Sequence, residues 1–345
     1  MPSRLRAHLS GRIPGLDLAR AVAIVGMMGA HIGDRGTRGP DTNGWPTLWL
    51  AEGRSSALFA VLGGVTIALM ARRSTRGSAH TVVRIAVRGG LLIGLGYALE
   101  QLDTPPDVVL ANLGVMFILV LPVIGWPRRA LLALAALAFV AGSVVARAAD
   151  GRLDGWPVLE TLVSHHYPAV SWVGYVLVGM AVGRAPLARG TIAAWLAGVG
   201  ALTMLAGYGV GMRWGSPPPW STTPGAAWTS VTPHSGTVLE LVGNTGCALV
   251  VLGFSLAVVR TTRWFAPLLA FGSMSLTMYS AHLVMIWWAS DAVVWRPSNV
   301  TYVTWTVALV AAASLWRAWL GAGPLERVMT RCSTWCANTS IRARP

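Results

Sequence analysis

The sequence predicts an all-α polytopic membrane bundle of about ten transmembrane helices with both termini cytoplasmic. Three observations predict it. Only 12% of the 345 residues are charged while 54% are apolar, and a water-soluble surface usually carries roughly 25% charge. Apolar runs of about 20 residues, the length of a bilayer-spanning helix, recur along the whole chain between Arg, Pro and Gly. The 27 basic residues, all arginine against 13 acids, are distributed so that one orientation is favoured.

The runs cover about 14–33, 53–71, 82–100, 107–126, 129–147, 167–184, 190–211, 237–259, 264–289 and 301–322. The first follows a basic stretch, Met1–Arg12, but Asp17 and Arg20 interrupt it and no clean small-residue cleavage pattern follows, so it is a retained span rather than a signal peptide. The second closes on Arg72-Arg73, and the third carries Arg84, Arg88 and Gly89-Gly90. Pro127-Arg128-Arg129 parts the fourth from the fifth. The sixth starts at Tyr167-Pro168 and ends at Arg184. The seventh follows Arg189, the eighth follows Pro233-His234-Ser235-Gly236-Thr237, the ninth follows Arg263, and the tenth ends before Gly323-Pro324. Internal glycines (Gly63-Gly64, Gly89-Gly90, Gly198, Gly200) suit close helix approach. No soluble domain fits between the runs, so residues 1–345 form a single integral-membrane domain.

With the N-terminus cytoplasmic, nineteen of the 27 arginines fall on the inner side, as the positive-inside rule requires. The basic excess is therefore a topology signal. The lipid bilayer of the plasma (inner) membrane is the expected partner, nucleic acid is not, and a homodimer is left open as the assembly. Cys247, Cys332 and Cys336 make no disulfide framework, and their spacing without nearby histidines calls for no metal.

The same topology sorts the histidines. His31, His165, His166, His234 and His282 all fall near the extracytoplasmic ends of spans one, six, eight and nine. Polar groups at membrane depth face the bundle interior or a watery cavity. Eleven residues separate Arg20 from His31, which on a helix is three turns plus about 20°, so both project from one face about 16 Å apart. Asp17 stands three residues before Arg20, at pairing distance. Asn112 and Asn244 are the polar residues expected at the midplane.

The segment Asp17-Leu-Ala-Arg20…His31, followed by Glu52-Gly-Arg54-Ser55-Ser56-Ala-Leu-Phe, resembles the start of the heparan-alpha-glucosaminide N-acetyltransferase-like membrane proteins, about 14–130 here. The C-terminal half, about 160–335, resembles the associated YeiB-like domain of unknown function. It does so through His166-Tyr167-Pro168…Trp172, Pro233-His234-Ser235-Gly236-Thr237, Phe271-Gly272-Ser-Met-Ser-Leu276-Thr277-Met-Tyr279 with His282, and Gly323-Pro324-Leu325-Glu326-Arg327. The Arg-x10-His spacing is also similar to the first-span signature of acyltransferase-3 membrane enzymes. These resemblances imply an integral-membrane acyltransferase. It would move an acyl group, acetyl above all, from cytoplasmic acetyl-CoA or another acyl-CoA to an extracytoplasmic or lipid-linked acceptor such as a carbohydrate. The acetyltransferase relatives carry a reactive histidine in the loop after the first span. Here that loop holds Asp41-Thr-Asn43-Gly-Trp45 and no histidine, so the resemblance implies that role for His31 only from a shifted position.

Acyl transfer needs a base for the acceptor or a nucleophile for the acyl group, and imidazole near pH 7 suits both. His31 is the first candidate, as base or acyl carrier, with Arg20 and Asp17 at the donor end, where a guanidinium can hold a CoA phosphate. Glu52 and Arg54 at the outer start of span two are placed to pair with each other or to orient the acceptor. His166 is expected at a helix start, where free backbone N–H groups favour a developing oxyanion. His234 and Ser235, with Glu240 beyond, put an imidazole, a capping hydroxyl and a carboxylate at the mouth of span eight, as site candidates or as a capping turn. Tyr279 and His282, one turn apart near the outer end of span nine, are further site candidates, with a buried hydrogen-bonded pair of no catalytic role as the other reading. The loop 214–233, with Trp220 and Trp228, is long enough for a lid that stacks on a sugar ring. The competing reading is a transporter or exporter of a small or lipidic solute, which calls for midplane charges and an inverted repeat. Residues 1–172 and 173–345 show no such repeat.

Overall fold

The computed structural model describes residues 12–36, 44–74, 77–149, 156–163, 166–218, 228–259, 263–290 and 292–342. Among them there is no strand. The helices are α1 (Pro14–Ile32), α2 (Arg54–Arg73), α3 (Ser78–Glu100), α4 (Leu110–Leu119), α5 (Arg128–Ala149), α6 (Pro157–Val163), α7 (Ala169–Gly183), α8 (Gly190–Arg213), α9 (Val238–Val258), α10 (Ala266–Ser273), α11 (Ser275–Ala289), α12 (Ala292–Trp295), α13 (Asn299–Trp319) and α14 (Pro324–Arg342). Each of the ten apolar runs contains at least one of them.

Among the described residues seven helices are long and apolar enough to cross a bilayer, or eight when the bent pair α10–α11 is taken as one span. The protein is a multi-pass membrane protein. The expected count of ten is not reached by length. In the run 107–126 the helix stops after Leu119, because Pro122 has no N–H to continue the ladder and the chain tightens into a 3-10 turn at Leu121–Val123. In the run 167–184 helix begins only after Pro168, leaving 15 residues, about 22 Å at 1.5 Å per residue. The run 264–289 breaks at Met274, where the two halves meet at 83°.

α1 runs from an arginine end at Pro14, beside Arg12 and Arg20, to a histidine end at Ile32, beside His31, and these mark two ends of the bundle. Buried residues line the centre on α1, α2, α7 and α9, whereas α3, α5, α8 and α13 are largely exposed, presenting apolar side chains such as Leu137, Leu202 and Val307 outward. Close crossings hold the centre together. Gly64 of α2 lies against the Val176 carbonyl of α7, and Gly179 of α7 against the Val61 carbonyl, with no room for a Cβ at either. Gly200 and Gly89 are also close against α9 and α4, though less tightly, but Gly90 and Gly198 face open space and serve no crossing.

The bend between α10 and α11 has a visible cause. Gly272 is pressed against the Asp17 carbonyl of α1, and the new helix starts under a carboxylate from another element. Glu326 of α14 accepts the Leu276 N–H at 2.8 Å, the Thr277 N–H at 3.2 Å and the Thr277 hydroxyl at 2.6 Å. An anion there satisfies the first free donors of α11 and its positive dipole end. Two motifs far apart in sequence, Phe271–Tyr279 and Gly323–Arg327, thus form one joint.

Candidate functional site

α1 carries a cavity at each end. At the arginine end a cavity of about 300 Å³ is lined by Arg12, Asp17, Arg20 and Arg84 with Ile13, Leu16, Thr66, Leu69 and Met70. Arg20 donates to Asp17 Oδ1 at 2.8 Å and to Thr66 Oγ1 at 2.9 Å, so the expected pair forms and α2 fixes its other side. The Arg84 Nε is buried and makes no hydrogen bond. Three guanidiniums against one carboxylate leave this cavity net positive.

At the histidine end a cavity of about 320 Å³ is lined by Ala30, His31, Gly33, Arg35, Pro105, Pro106, Val294, Trp295 and Pro297. The two cavities share no lining residue; between them α1 buries Ile24, Met27 and Met28. His31 stacks on His282 of α11 with centroids 5.3 Å apart, and its Nδ1 is 3.2 Å from His282 Nε2. Chemistry at His31 therefore falls to Nε2. His282 is 1% exposed and its other face meets the edge of Tyr279, 5.2 Å away. The hydrogen bond that one reading expected between Tyr279 and His282 does not form. The Tyr279 hydroxyl accepts the Val109 N–H at 3.3 Å instead, because Tyr279, one turn back on α11, turns toward the start of α4.

A second group of histidines stands at the same end. His166, two residues before the Pro168 cap of α7, places Nδ1 3.0 Å from Asp107 Oδ2, with both side chains about half exposed. The rings of His166 and His234 meet edge to face at 5.2 Å, and Tyr167 closes on His234 at 5.5 Å. His234 holds a positive φ of 61°, a left-handed conformation that needs outside support. Glu240 supplies it. Its carboxylate accepts the His234 N–H at 2.8 Å, the Gly236 N–H at 2.8 Å and the Ser235 hydroxyl at 3.1 Å, while Thr237 caps α9 by accepting the Glu240 N–H. Ser235 is thus a turn residue bonded to Glu240 rather than a nucleophile facing a cavity.

Arg54 is 7% exposed at the start of α2. It donates to the Tyr208 hydroxyl at 3.0 Å and to the Trp49 and Glu52 carbonyls. Tyr208 in turn donates to Asn244, which donates to Glu240, so a buried chain of hydrogen bonds runs from α2 through α8 to α9. Tyr208 sits on a single π-helical turn, Leu205–Gly209, a local widening that often marks function. The Glu52 and Arg54 side chains do not pair with each other; the Glu52 carboxylate takes Arg35 instead. The start of α2 also abuts the other group, since a Cβ at Gly53 would lie 3.7 Å from Glu240 Oε1 and 3.8 Å from His234 Nε2.

The sequence profile of the heparan-alpha-glucosaminide N-acetyltransferase catalytic family matches residues 12–209. The chain belongs to that family. The match takes in α1 through most of α8, and so includes Arg20, His31, Arg54, Asp107 and His166. It runs beyond residue 130. No curated protein matches the chain.

Within this acetyltransferase-family chain, sequence reasoning named His31, His282, His166, His234, Arg54, Glu52, Ser235, Tyr279, Arg20 and Asp17, and the structure sets eight of them at one end and two at the other. Asn112 lies in the first turn of α4 and holds the Thr161 and Tyr167 carbonyls, and Asn244 lies beside Glu240, one turn further into α9. His165, Trp220 and the middle of the expected lid, 219–227, lie outside the described residues. Asp107 and Tyr208 were missed. Asp107 carried the weak signal of an acid behind Pro105-Pro106; Tyr208 carried none. Among the described residues no group of three His, Cys, Asp or Glu side chains converges as a metal site.

Proposed function

We propose that the protein transfers an acetyl group from acetyl-CoA, bound at the arginine end on the cytoplasmic side, to a hydroxyl or amine presented at the histidine end on the other face. The acceptor class is a carbohydrate, free or lipid-linked. One observation carries the reading: a single helix, α1, bears an arginine-lined cavity at one end and an imidazole-lined cavity at the other.

The arginine cavity fits the donor's chemistry. Arg12, Arg20 and Arg84 surround it with a single balancing carboxylate, and the buried, unbonded Arg84 Nε is a donor without an acceptor, a cost that a phosphate oxygen removes. At the far end His31 Nε2 meets the acyl carbon, while His282 holds the ring through Nδ1 and fixes its plane. The nineteen arginines that the sequence assigns to the side on which α1 begins support the orientation. The transporter reading loses ground at α11. A broken span offers a solute its free half-helix N-terminus, and here Glu326 already fills it.

The test is release of free thiol from acetyl-CoA by the purified protein in detergent, with acetyl appearing on an added amino sugar. His31→Ala should abolish transfer while the protein keeps its elution profile and helical content. Undiminished transfer in that variant removes His31 from the reaction. Accumulation of labelled solute inside proteoliposomes without thiol release favours transport.

A further inference from the structure

The family match and the two-ended helix leave one arrangement unused. Asp107 and His166 come from different elements, the turn before α4 and the turn before α7, yet His166 Nδ1 and Asp107 Oδ2 are 3.0 Å apart. The two stand fifty-nine positions apart in the chain, so tertiary packing brings them together. Asn112 helps to bring them together, because its amide on α4 binds the Tyr167 carbonyl at 2.8 Å, one residue from His166. The prolines that precede Asp107, Pro105 and Pro106, line the cavity that His31 lines. The rings of His234 and Tyr167 pack around His166.

We infer that Asp107 and His166 form a carboxylate–imidazole pair that activates the acceptor in the acetyltransferase reaction, with His166 as its general base and Asp107 as the positioning residue. The inference rests on the acyltransferase reading. A carboxylate on Nδ1 fixes the tautomer, so that Nδ1 keeps its hydrogen and Nε2 keeps the lone pair that takes a proton. His31 and His282 cannot share that arrangement, since each is committed to the other imidazole and neither has a carboxylate partner among the described contacts. The two pairs therefore divide the work: His31 meets the acyl carbon, and His166 meets the acceptor.

The step balances as follows. The acceptor O–H or N–H proton passes to His166 Nε2 while the acceptor atom bonds to the acyl carbon. The bond from that carbon to its previous carrier, the CoA sulfur or His31 Nε2, breaks. The electron pair leaves with the carrier, which takes up one proton, and His166 returns one to the medium.

The test compares two acceptors in the full-length purified protein supplied with acetyl-CoA. Glucosamine is a weak nucleophile that needs its proton removed; hydroxylamine is strong enough to be acylated without a base. The readout is the ratio of the kcat values for the two. Asp107→Asn keeps the size of the side chain but presents an amide to Nδ1, and the ratio should fall on the order of 10²-fold. His166→Gln should lower it at least as much, and Asp107→Glu should restore part of it. Both rates falling together in Asp107→Asn, with the ratio within twofold of wild type, overturns the inference and makes the pair structural. Wild-type acetylation of hydroxylamine without glucosamine also overturns it, because the pair then activates no weak acceptor. Wild-type protein that acetylates neither defeats the acyltransferase reading itself.

Discussion

His31 Nδ1 and His282 Nε2 lie 3.2 Å apart, so one hydrogen bond between two imidazoles ties the first apolar run to the ninth. One nitrogen donates and the other accepts, and the bond exists only while at least one ring keeps a lone pair there. His31→Ala should lower kcat for acetyl transfer on the order of 10³-fold, the range of a lost acid–base or nucleophilic group. His282→Ala should cost about tenfold in kcat with little change in the KM for acetyl-CoA, as expected of a group that orients His31. Steady-state kinetics on both variants checks this, and a larger loss at His282 than at His31 would reverse the assignment.

The arginine cavity makes a separate prediction. Arg20→Ala and Arg84→Ala should each remove a charge-assisted bond to a phosphate, about 1.5–3 kcal/mol, which appears as a roughly 10- to 150-fold rise in KM for acetyl-CoA. The same KM should rise with added salt in the wild-type protein and less so in the variants. Arg54→Ala, at the opposite end and bonded to Tyr208, should leave the salt response unchanged.

How much of this was legible follows from what a bilayer imposes. A span needs a long apolar run, so α1, α2 and α5 could be read directly from composition. The breaks could not, because the bend at Met274 depends on Gly272 meeting Asp17 and on Glu326 arriving from fifty residues away. Likewise His31 and His282 were each visible as polar residues in apolar runs, but their pairing is a tertiary fact. Tyr208 lay hidden because a single π-turn leaves no mark on an apolar pattern. Asp107 lay hidden because a loop acid gains meaning only from the histidine it meets.

Glu240→Ala should destabilise the protein without touching either cavity. It strands the buried Asn244 amide, at about 1–3 kcal/mol for an unsatisfied buried donor, and removes the acceptor of the half-buried N–H groups of His234 and Gly236. Thermal unfolding in detergent should show a large fall in midpoint for Glu240→Ala and a smaller one for Glu240→Gln. An unchanged midpoint in Glu240→Ala would mean the turn 234–237 holds its shape without the carboxylate.

Glu326→Ala removes the cap on α11 and should cost about 1 kcal/mol in stability. It should also reduce acetyl transfer, since α11 carries His282 and Tyr279. The substitution lies at the end of the bundle where Arg20 sits, so its effect on kcat rather than on KM for acetyl-CoA distinguishes a shifted helix from a damaged donor cavity.

Arg20 and His31 stand on one unbroken helix of 19 residues, with a spacing of about 16 Å set by helical rise alone. α1 therefore acts as a ruler. Neither end can approach the other, and any movement that admits a molecule at one face must come from the helices leaning on α1. Inserting or deleting residues between Ile24 and Met28 would recalibrate the gauge, by rotating His31 away from His282 long before it changed the length appreciably.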